Sequence, residues 1–379
     1  MPLVLNEEQR MLRDSARDFL SSHASVAALR KLRDTRDPLG YAPDLWRQMA
    51  AMGWSSIILP EQYGGLDFGF TGLGVVLEEC GRTLAASPLF ASAVLGASTL
   101  LLGGSEAQKE SLLPAIAGGE LTLALALEES HHHHPTGIDT RAELRGDNYI
   151  INGGKCFVLD GHSAEKLVVV ARSAGESGDR EGLSLLLVAR ETPGVTVRRA
   201  VMVDSRSAAN ISFDDVAVPA ADMIGEPGSG WRVLEPVLDR GRVAIAAEMM
   251  GLALECFERT IAYLKEREQF GVRIGSFQAL QHRAAMIQAD IELCRSVLLQ
   301  ALGSVDDSPE QLPLLASLAK ARLNELVKLV TNEAVQMHGG IGLTDELDIG
   351  LFLKRARVTK QILGNTGYHK DRYATLCGY

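Results

Sequence analysis

The stretch that most constrains the fold is residues 263–282, where one strongly apolar helical segment ends and another helical pattern begins. Before it, residues 243–264 are apolar on almost every face, which predicts a helix buried deep in a bundle. Two glycines then mark a turn, and helical spacing resumes at Phe277. Arg267 therefore lies beside an irregular loop, where a guanidinium can grip a phosphate with two hydrogen bonds. The alternative is that Arg267 pairs with a nearby glutamate and that Phe270 simply packs.

Hydrophobic periodicity divides the chain into three parts, in the order helices, strands, helices. Up to about residue 120 apolar residues recur at helical spacing, and Asn6 is placed to cap the first helix. From residue 121 to about 219 the period changes to two, and no helix intervenes between the runs, which predicts an antiparallel sheet or barrel. The predicted helices are 44–52, 73–85, 89–102, 106–116 and 316–337, and the predicted strands are 149–152, 167–171, 183–188, 195–198 and 210–213. The predicted fold class is α+β.

Composition excludes several classes of function. The 379 residues include 38 Lys and Arg against 48 Asp and Glu, a net charge of −10, which argues against general nucleic-acid binding. No apolar run reaches the ~20 residues that a membrane span needs, and the charged, helical N-terminus is unlike a signal peptide. The five cysteines are scattered, without disulfide or zinc spacing. We therefore expect a cytoplasmic protein with no metal site and no membrane span.

Two motifs carry a resemblance to a known family. One is Arg267-x-Gln269-Phe270-Gly271 followed by Gln278, and the other is Gln-Met-His-Gly-Gly-Ile-Gly at residues 336–342. Together they resemble the C-terminal helical domain of the acyl-CoA dehydrogenases, and the resemblance covers nearly the whole chain. It implies an N-terminal helical domain (residues 1–120), a central antiparallel β-barrel domain (121–224) and a C-terminal four-helix bundle (225–379). It also implies a flavoprotein that binds FAD across a subunit interface.

The resemblance assigns residues to cofactor and substrate. In homologous dimers the matching side chains and backbone reach the pyrophosphate and adenosine of FAD held by the neighbouring subunit; they are Arg267, Gln269, Phe270, Gln278, Gln336, Gly339 and Gly340. Phe157 can cover the flavin ring. Asp239 and Arg242 match residues beside the CoA moiety of the substrate. The alternative for this last pair is a helical ion pair on a solvated face.

The catalytic base of the family has no counterpart here. The family reaction removes the α-proton of an acyl-CoA thioester with a positioned carboxylate. The commoner position of that carboxylate aligns with Leu363 and Gly364, and the alternative position aligns with Gly241. The catalytic residue of this chain is therefore unknown from the sequence.

The flavin-facing side of the chain also departs from the family. The Thr-Glu-Pro-x-x-Gly-Ser-Asp loop aligns with residues 127–134, where Leu127 replaces the threonine and His133 the serine. Leu159 replaces a second threonine, so two hydrogen bonds to the flavin are lost and FAD is expected to bind weakly to the isolated chain. The four consecutive histidines offer ligands for a metal, but adjacent side chains alternate in an extended segment. A solvated loop is therefore the favoured interpretation.

The C-terminal segment indicates a subgroup. Leu-Gly-Asn-x-x-Tyr-His-x-x-Arg at residues 363–372 resembles the small subunit of pimeloyl-CoA-type dehydrogenases, whose large subunit carries the base. Two functions stay open. One is an FAD-dependent acyl-CoA dehydrogenase of fatty acid metabolism, alone or as a subunit. The other is a non-catalytic partner that completes the FAD site and scaffold of a hetero-oligomer. Either requires a neighbour, so we expect a homo-oligomer or a hetero-oligomer with a homologous large subunit, acting on an acyl-CoA of unknown chain.

Overall fold

The computed structural model describes residues 4–379. Their contacts divide the chain into two compact units. Unit 1 consists of Met1–Lys31 (described from residue 4), Phe70–Ala86 and Arg242–Tyr379, and unit 2 consists of Leu32–Gly69 and Ser87–Gly241. Neither unit is one continuous segment, so each depends on contacts between residues that are distant in sequence.

Eleven α-helices lie within the described residues. They are α1 (Glu7–His23), α2 (Val26–Asp34), α3 (Pro43–Ala51), α4 (Phe70–Thr83), α5 (Ala97–Gly103), α6 (Glu106–Ala117), α7 (Trp231–Glu266), α8 (Gln278–Asp307), α9 (Leu312–His338), α10 (Ile349–Thr359) and α11 (Thr366–Leu376). The predicted capping role of Asn6 is confirmed, since its side chain accepts from the backbone N–H of Gln9 while the Gln9 side chain accepts from that of Asn6. The helix predicted at 89–102 is a π-helical stretch, Leu89–Gly96, followed by α5. Helix α2 was not predicted.

Unit 1 is helical. Helix α9 packs against α8, α10 and α11, and residues 243–254 of α7 are buried on nearly every face, as the sequence predicts. Helices α4 and α7 approach closely because both carry glycine at the crossing. A Cβ on Gly81 would lie 2.0 Å from the carbonyl oxygen of Glu248, and one on Gly251 would lie 1.7 Å from that of Glu78. The C-terminal helical bundle is thereby confirmed.

Unit 2 contains the main sheet. Its strands are β1 (Leu123–Ala126), β2 (Arg141–Arg145), β3 (Asn148–Leu159), β4 (Lys166–Arg172), β5 (Leu183–Ala189), β6 (Val195–Val201), β7 (Ser207–Pro219) and β8 (Met223–Ile224). The strand order is β6-β7-β3-β2-β4-β5-β8, with β1 also pairing with β4. The α+β class is confirmed, but the sheet does not close into the expected barrel. It is not wholly antiparallel either, because β1 and β2 each pair with β4 in parallel.

Strand β3 is much longer than the predicted run 149–152. The sequence Gly153-Gly154 reads as a turn, yet the strand continues through it with register shifts against β7. Gly153 has φ +146°, and a Cβ there would lie 2.7 Å from the Cα of Thr140. The glycine therefore permits close backbone approach instead of ending the strand.

Across the described chain, no helix is long and apolar enough to cross a bilayer.

Candidate cofactor and substrate site

The two sequence motifs meet in unit 1. The ring of Tyr263, near the end of α7, stacks on the ring of His338 at the end of α9, with centroids 4.4 Å apart. The Tyr263 hydroxyl also donates to the His338 carbonyl oxygen at 3.4 Å. Burial lowers the pKa of His338, and its Nδ1 lies 2.8 Å from the carbonyl oxygen of Ala334. This stacked pair joins the end of α7, just before the first motif, to the end of α9 in the second motif.

A short hairpin connects α7 to α8. Strands β9 (Glu268–Gln269) and β10 (Val272–Arg273) pair antiparallel, which leaves Phe270 and Gly271 as a two-residue turn. Both turn residues have positive φ, +56° and +79°, as the tightest hairpin turns require. Phe270 is an unfavourable residue at such a position, and its side chain is 89% exposed. Its ring forms a T-shaped pair with that of Phe277, with centroids 6.2 Å apart, so the hairpin presents an exposed aromatic ring.

Hydrogen bonds fix the backbone of Arg267, while its side chain is exposed. Its N–H donates to the Tyr263 carbonyl at 2.9 Å, and its carbonyl accepts from Ile274 at 2.9 Å. No side-chain ion pair of Arg267 is found among residues 4–379, so the glutamate partner of the alternative interpretation is not observed. Gln278 is the exposed first residue of α8, whose N-cap residue provides no side-chain acceptor. The amides of Gln278 and Ala279 are therefore available to an anion, whereas that of Leu280 already donates to the Phe277 carbonyl at 3.0 Å.

The end of α9 is open in the same way. Gln336, Gly339 and Gly340 are exposed. Gly339 has φ +65°, and a Cβ on either glycine would meet no atom within 4 Å. Backbone amides here can approach a phosphate without steric hindrance. The exposed guanidinium, the open helix start and these glycines together fit the pyrophosphate part of a dinucleotide cofactor.

The loop at residues 127–140 in unit 2 differs from this surface because its charged groups are already satisfied. The Glu129 carboxylate accepts from the backbone N–H of Asp139 at 2.7 Å and of Thr140 at 3.1 Å. It also lies 2.5 Å from the ammonium of Lys155, which donates to the Leu127 carbonyl at 3.1 Å. Burial lowers the pKa of Lys155 to about 8, although Glu129 acts in the opposite direction. Burial would raise the pKa of Glu129, but Lys155 and the hydrogen bonds outweigh it and the pKa is lowered.

The histidine run corrects one prediction. His131, His132 and His134 are exposed, but the side chain of His133 is 3% exposed, and its Nδ1 lies 2.5 Å from an Oε1 of Glu128. The run is therefore not a uniformly solvated loop, because a carboxylate five residues earlier draws one imidazole inward. Within residues 4–379 no group of side chains could hold a metal ion.

The residues expected beside the flavin ring are apolar. Phe157 is half-buried and has φ +52° at a register shift in β3, so its side chain departs from the regular alternation of the strand. Leu127 is buried and Leu159 is half-buried. Neither leucine offers the hydroxyl that the resemblance expects at its position. This part of the chain can pack against a flavin ring but offers its polar atoms fewer hydrogen bonds than the surface at Arg267 offers a pyrophosphate.

Asp239 and Arg242 are both 1% exposed, so the alternative interpretation, an ion pair on a solvated helix face, is wrong. In unit 1, Arg242 is tied to the segment that follows α10. Its Nη2 donates to the Tyr368 hydroxyl at 3.2 Å and its Nε to the Leu363 carbonyl at 3.4 Å. The guanidinium also lies over the Tyr368 ring, 5.6 Å from the centroid.

A buried lysine that the sequence analysis missed supports the same segment. Lys320 is fully buried and donates to Asn324 Oδ1 at 2.8 Å and to the carbonyls of Thr359 and Gly364 at 3.0 and 3.2 Å. Burial, followed by the nearby charge of Arg242, holds the pKa of Lys320 well below its usual value. Leu363 and Gly364 have φ of +54° and +110°, and residues 361–366 include no acid. A lysine on the apolar stripe of α9 was the available signal.

Comparisons with known proteins agree with this fold. The N-terminal, middle and C-terminal domains of acyl-CoA dehydrogenase match residues 6–120, 124–216 and 228–375. Cyclohex-1-ene-1-carbonyl-CoA dehydrogenase of Geobacter metallireducens is 32% identical over 366 residues, which are 95% of each chain. The chain belongs to the acyl-CoA dehydrogenase family.

Two solved structures extend the comparison. Butyryl-CoA dehydrogenase from Megasphaera elsdenii has a TM-score of 0.91 and 26% identity, covering 100% of both chains. The ChsE4-ChsE5 complex from Mycobacterium tuberculosis has a TM-score of 0.89 and 25% identity, covering 100% of this chain and 99% of that one. The second of these is a complex of two differently named proteins.

Proposed function

We propose that this chain is a subunit of an FAD-dependent acyl-CoA dehydrogenase that introduces a double bond between the α and β carbons of an acyl-CoA thioester. When bound, FAD would take up the hydride that leaves the β carbon. The observation that carries the proposal is the Tyr263–His338 stack, which joins the segment just before the first motif to the second motif, with the exposed guanidinium of Arg267 in the first motif. The chain's own part in the reaction is to bind and orient the cofactor and the thioester.

The cofactor contacts that we propose for unit 1 are Arg267, Gln269, Phe270, Gln278, Gln336, Gly339 and Gly340, directed at FAD of a neighbouring subunit. Their exposure supports this role, because a group that binds within its own chain is normally covered by that chain. Phe157 is proposed to cover the flavin ring. Because Leu127 and Leu159 provide no hydroxyl, we propose that the isolated chain holds FAD weakly.

On the substrate side we propose Asp239 and Arg242. The burial of both side chains supports a role in shaping the site beneath the CoA moiety. Arg242 bonds to the Leu363 carbonyl and the Tyr368 hydroxyl, so it can orient the segment where the family base would lie. In this chain that segment carries Leu363 in place of an acid.

This lack of an acid favours a second candidate function. A chain without a base at Leu363, Gly364 or Gly241 suits a non-catalytic partner that completes the FAD site of a homologous large subunit, as in pimeloyl-CoA-type dehydrogenases. The likeness to the ChsE4-ChsE5 complex supports an assembly of two different chains. The domain boundaries at residues 120 and 224, and a cytoplasmic location, stay predictions from the sequence.

Exposed apolar side chains in unit 1 support oligomerisation. Phe270 is 89%, Leu343 81%, Met286 69% and Leu293 60% exposed. Their clustering on elements that carry the proposed cofactor contacts favours a partner at this face. Light scattering that finds a stable monomer at micromolar concentration, with or without a homologous partner, would contradict it.

The decisive experiment measures flavin content and acyl-CoA dehydrogenase activity of the purified chain, alone and mixed with a homologous large subunit. We expect little flavin and no activity alone, and both in the mixture. If Arg267→Ala leaves the activity of the mixture unchanged at limiting FAD, Arg267 does not contribute to the cofactor site. A fully flavinated, active homomer would return the chain to the self-sufficient enzymes of the family.

A further inference from the structure

Unit 1 contains a pocket that the proposed function does not use. It has a volume of about 250 Å³ and lies between α1, α4 and α8. Its floor is formed by α4, where Gly74 contributes no side chain. One wall is a stripe of α8 at helical spacing, Arg295, Leu298, Leu299 and Leu302, and the other is the start of the described chain with Arg10 and Arg13 of α1. None of these residues belongs to the proposed cofactor or substrate site.

The interior of this pocket is aliphatic. Leu298 and Leu302 are 1% and 3% exposed, and Val75 is 5% exposed. Leu5 and Leu299 also line the pocket and are half-buried, and the exposed Val4 lies at its edge. Aliphatic walls of this kind select a hydrocarbon chain, because burial of each methylene contributes favourably to binding. The volume is near the small end of ligand pockets, which favours a chain of medium length.

The charge of the lining is mainly positive. Arg10, Arg13 and Arg295 line the pocket, and Glu78 is its one carboxylate. Arg295 forms long ion pairs with Glu78 at 3.8 Å and with Glu292 at 3.7 Å. These acids compensate part of its charge, but both distances are too long for hydrogen bonds, so its N–H donors stay available. Arg13 is paired with Asp14 at 3.0 Å. Two guanidinium groups, those of Arg10 and Arg295, are thus placed to receive an anion.

We propose that this pocket binds a free medium-chain aliphatic carboxylate, with its chain among the leucines of α8 and its carboxylate at Arg10 and Arg295. The site is separate from acyl-CoA chemistry: it contains none of the residues proposed for the cofactor or the thioester. A guanidinium binds a carboxylate through two parallel hydrogen bonds, which gives the head group its specificity.

The first test compares three probes on the purified full chain by isothermal titration calorimetry. Octanoate is expected to bind in a one-to-one ratio. Butyrate, with four fewer methylenes to bury, is expected to bind on the order of a hundredfold more weakly. Octanol keeps the chain but lacks the charge, and is expected to bind about tenfold more weakly than octanoate. Equal binding of octanol and octanoate, or no binding of octanoate at millimolar concentration, would overturn the proposal.

Variants then place the binding in this pocket. In Gly74→Val the new side chain fills the floor, since even a Cβ there would lie 2.4 Å from a methyl group of Leu302, and octanoate binding should be lost. The double variant Arg10→Gln/Arg295→Gln leaves the core intact and should weaken octanoate about tenfold while leaving octanol unchanged. It therefore decides the matter even if Gly74→Val does not fold. The control Arg322→Gln removes a surface arginine of α9 that pairs with Glu325 at 3.2 Å, and should bind octanoate like the parent.

A last variant separates this site from the proposed enzyme site. Arg267→Ala should bind octanoate with unchanged affinity whether or not the chain takes part in dehydrogenation. Octanoate binding that falls in Arg267→Ala but not in Arg10→Gln/Arg295→Gln would move the ligand to the cofactor site and refute the pocket. Loss of octanoate binding when the chain self-associates would overturn the proposal, because it would assign the pocket to a second copy.

Discussion

The surface around Arg267 and the loop at residues 127–140 are assigned by family resemblance to the same cofactor, yet they are built in opposite ways. Around Arg267, the exposed guanidinium has no ion-pair partner in the described chain, and the N-cap residue of α8 provides no side-chain acceptor for the first amides of that helix. In the loop, Glu129 and Lys155 bind each other and the backbone, and Glu128 binds His133. The surface around Arg267 can therefore form hydrogen bonds with a ligand, whereas the charged groups of the loop already form theirs within the chain.

This difference supports a division of roles between subunits. An open set of donors on a fixed backbone suits a cofactor that arrives with a neighbouring chain. A loop whose charges are internally paired, and which presents Leu127 instead of a hydroxyl, contributes packing more than hydrogen bonds to a flavin. This contrast is the basis of our proposal that the chain completes a neighbour's site and holds FAD weakly when alone.

The largest effect is expected when the ion pair of the loop at residues 127–140 is broken. Glu129→Gln leaves the ammonium of Lys155 buried without its carboxylate, which should lower the free energy of unfolding by about 3–5 kcal/mol. Urea denaturation followed by circular dichroism measures it. The control Glu143→Gln removes an exposed partner of Arg145 and should change stability by less than about 0.5 kcal/mol. Similar small losses in both variants would show that the loop does not depend on its ion pair.

The next effect concerns pH. The pKa of Lys155 is about 8 in the folded chain, against 10.5 as its ordinary value. Between these values the unfolded chain binds more protons than the folded chain. The free energy of unfolding therefore rises as pH increases from 8 towards 10, and this gain is absent below pH 8. The contribution is up to about 3 kcal/mol. Comparison of unfolding curves at several pH values should show that Lys155→Met loses this rise and that Lys265→Met, at an exposed position, retains it.

A smaller effect is expected on FAD binding when hydroxyl groups are introduced at the two leucines expected beside the flavin. Leu127→Thr with Leu159→Thr returns two hydroxyls and should strengthen FAD binding by roughly tenfold to a hundredfold, since each hydrogen bond contributes on the order of 1 kcal/mol. Flavin absorbance per protein after gel filtration measures the retained cofactor. Leu125→Thr, a buried position on β1, tests whether polarity alone acts, and should retain no more flavin than the parent. If the double variant retains no more flavin than the parent, these two leucines are not the cause of weak FAD binding.

The smallest effect probes the open surface. Arg267→Ala removes an exposed charge and should weaken FAD in a mixed complex by about tenfold, through the loss of a charge-assisted contact to the pyrophosphate. Its unfolding curve should match that of the parent within about 0.5 kcal/mol. Arg273→Ala, on the neighbouring strand β10 and also exposed, is the matched control and should retain FAD. Equal losses of FAD affinity in the two variants would show that the effect depends on general positive charge and not on a specific contact of Arg267.

Much of the fold follows from local pattern. The apolar run at residues 243–264, the cap at Asn6 and the strands of period two all appear near their predicted positions, because burial and capping are read within a few residues of sequence. The end of one helix and the start of the next around Arg267 and Gln278 were predicted for the same reason. The length of β3 was not, since Gly153-Gly154 has the composition of a turn and only its pairing with β7 keeps it extended.

The sequence by itself determined the class of fold, the two motifs and the lack of an acid at residues 361–366. Only the tertiary structure decided which charges are buried together. Lys155 meets a carboxylate 26 residues earlier, Lys320 meets a carbonyl 44 residues later, and Arg242 meets a tyrosine 126 residues away. Periodicity reports which face of an element is apolar, but the partner of a buried charge depends on which elements pack together. That choice is made by the whole chain, because an unpaired buried charge is too unfavourable to persist.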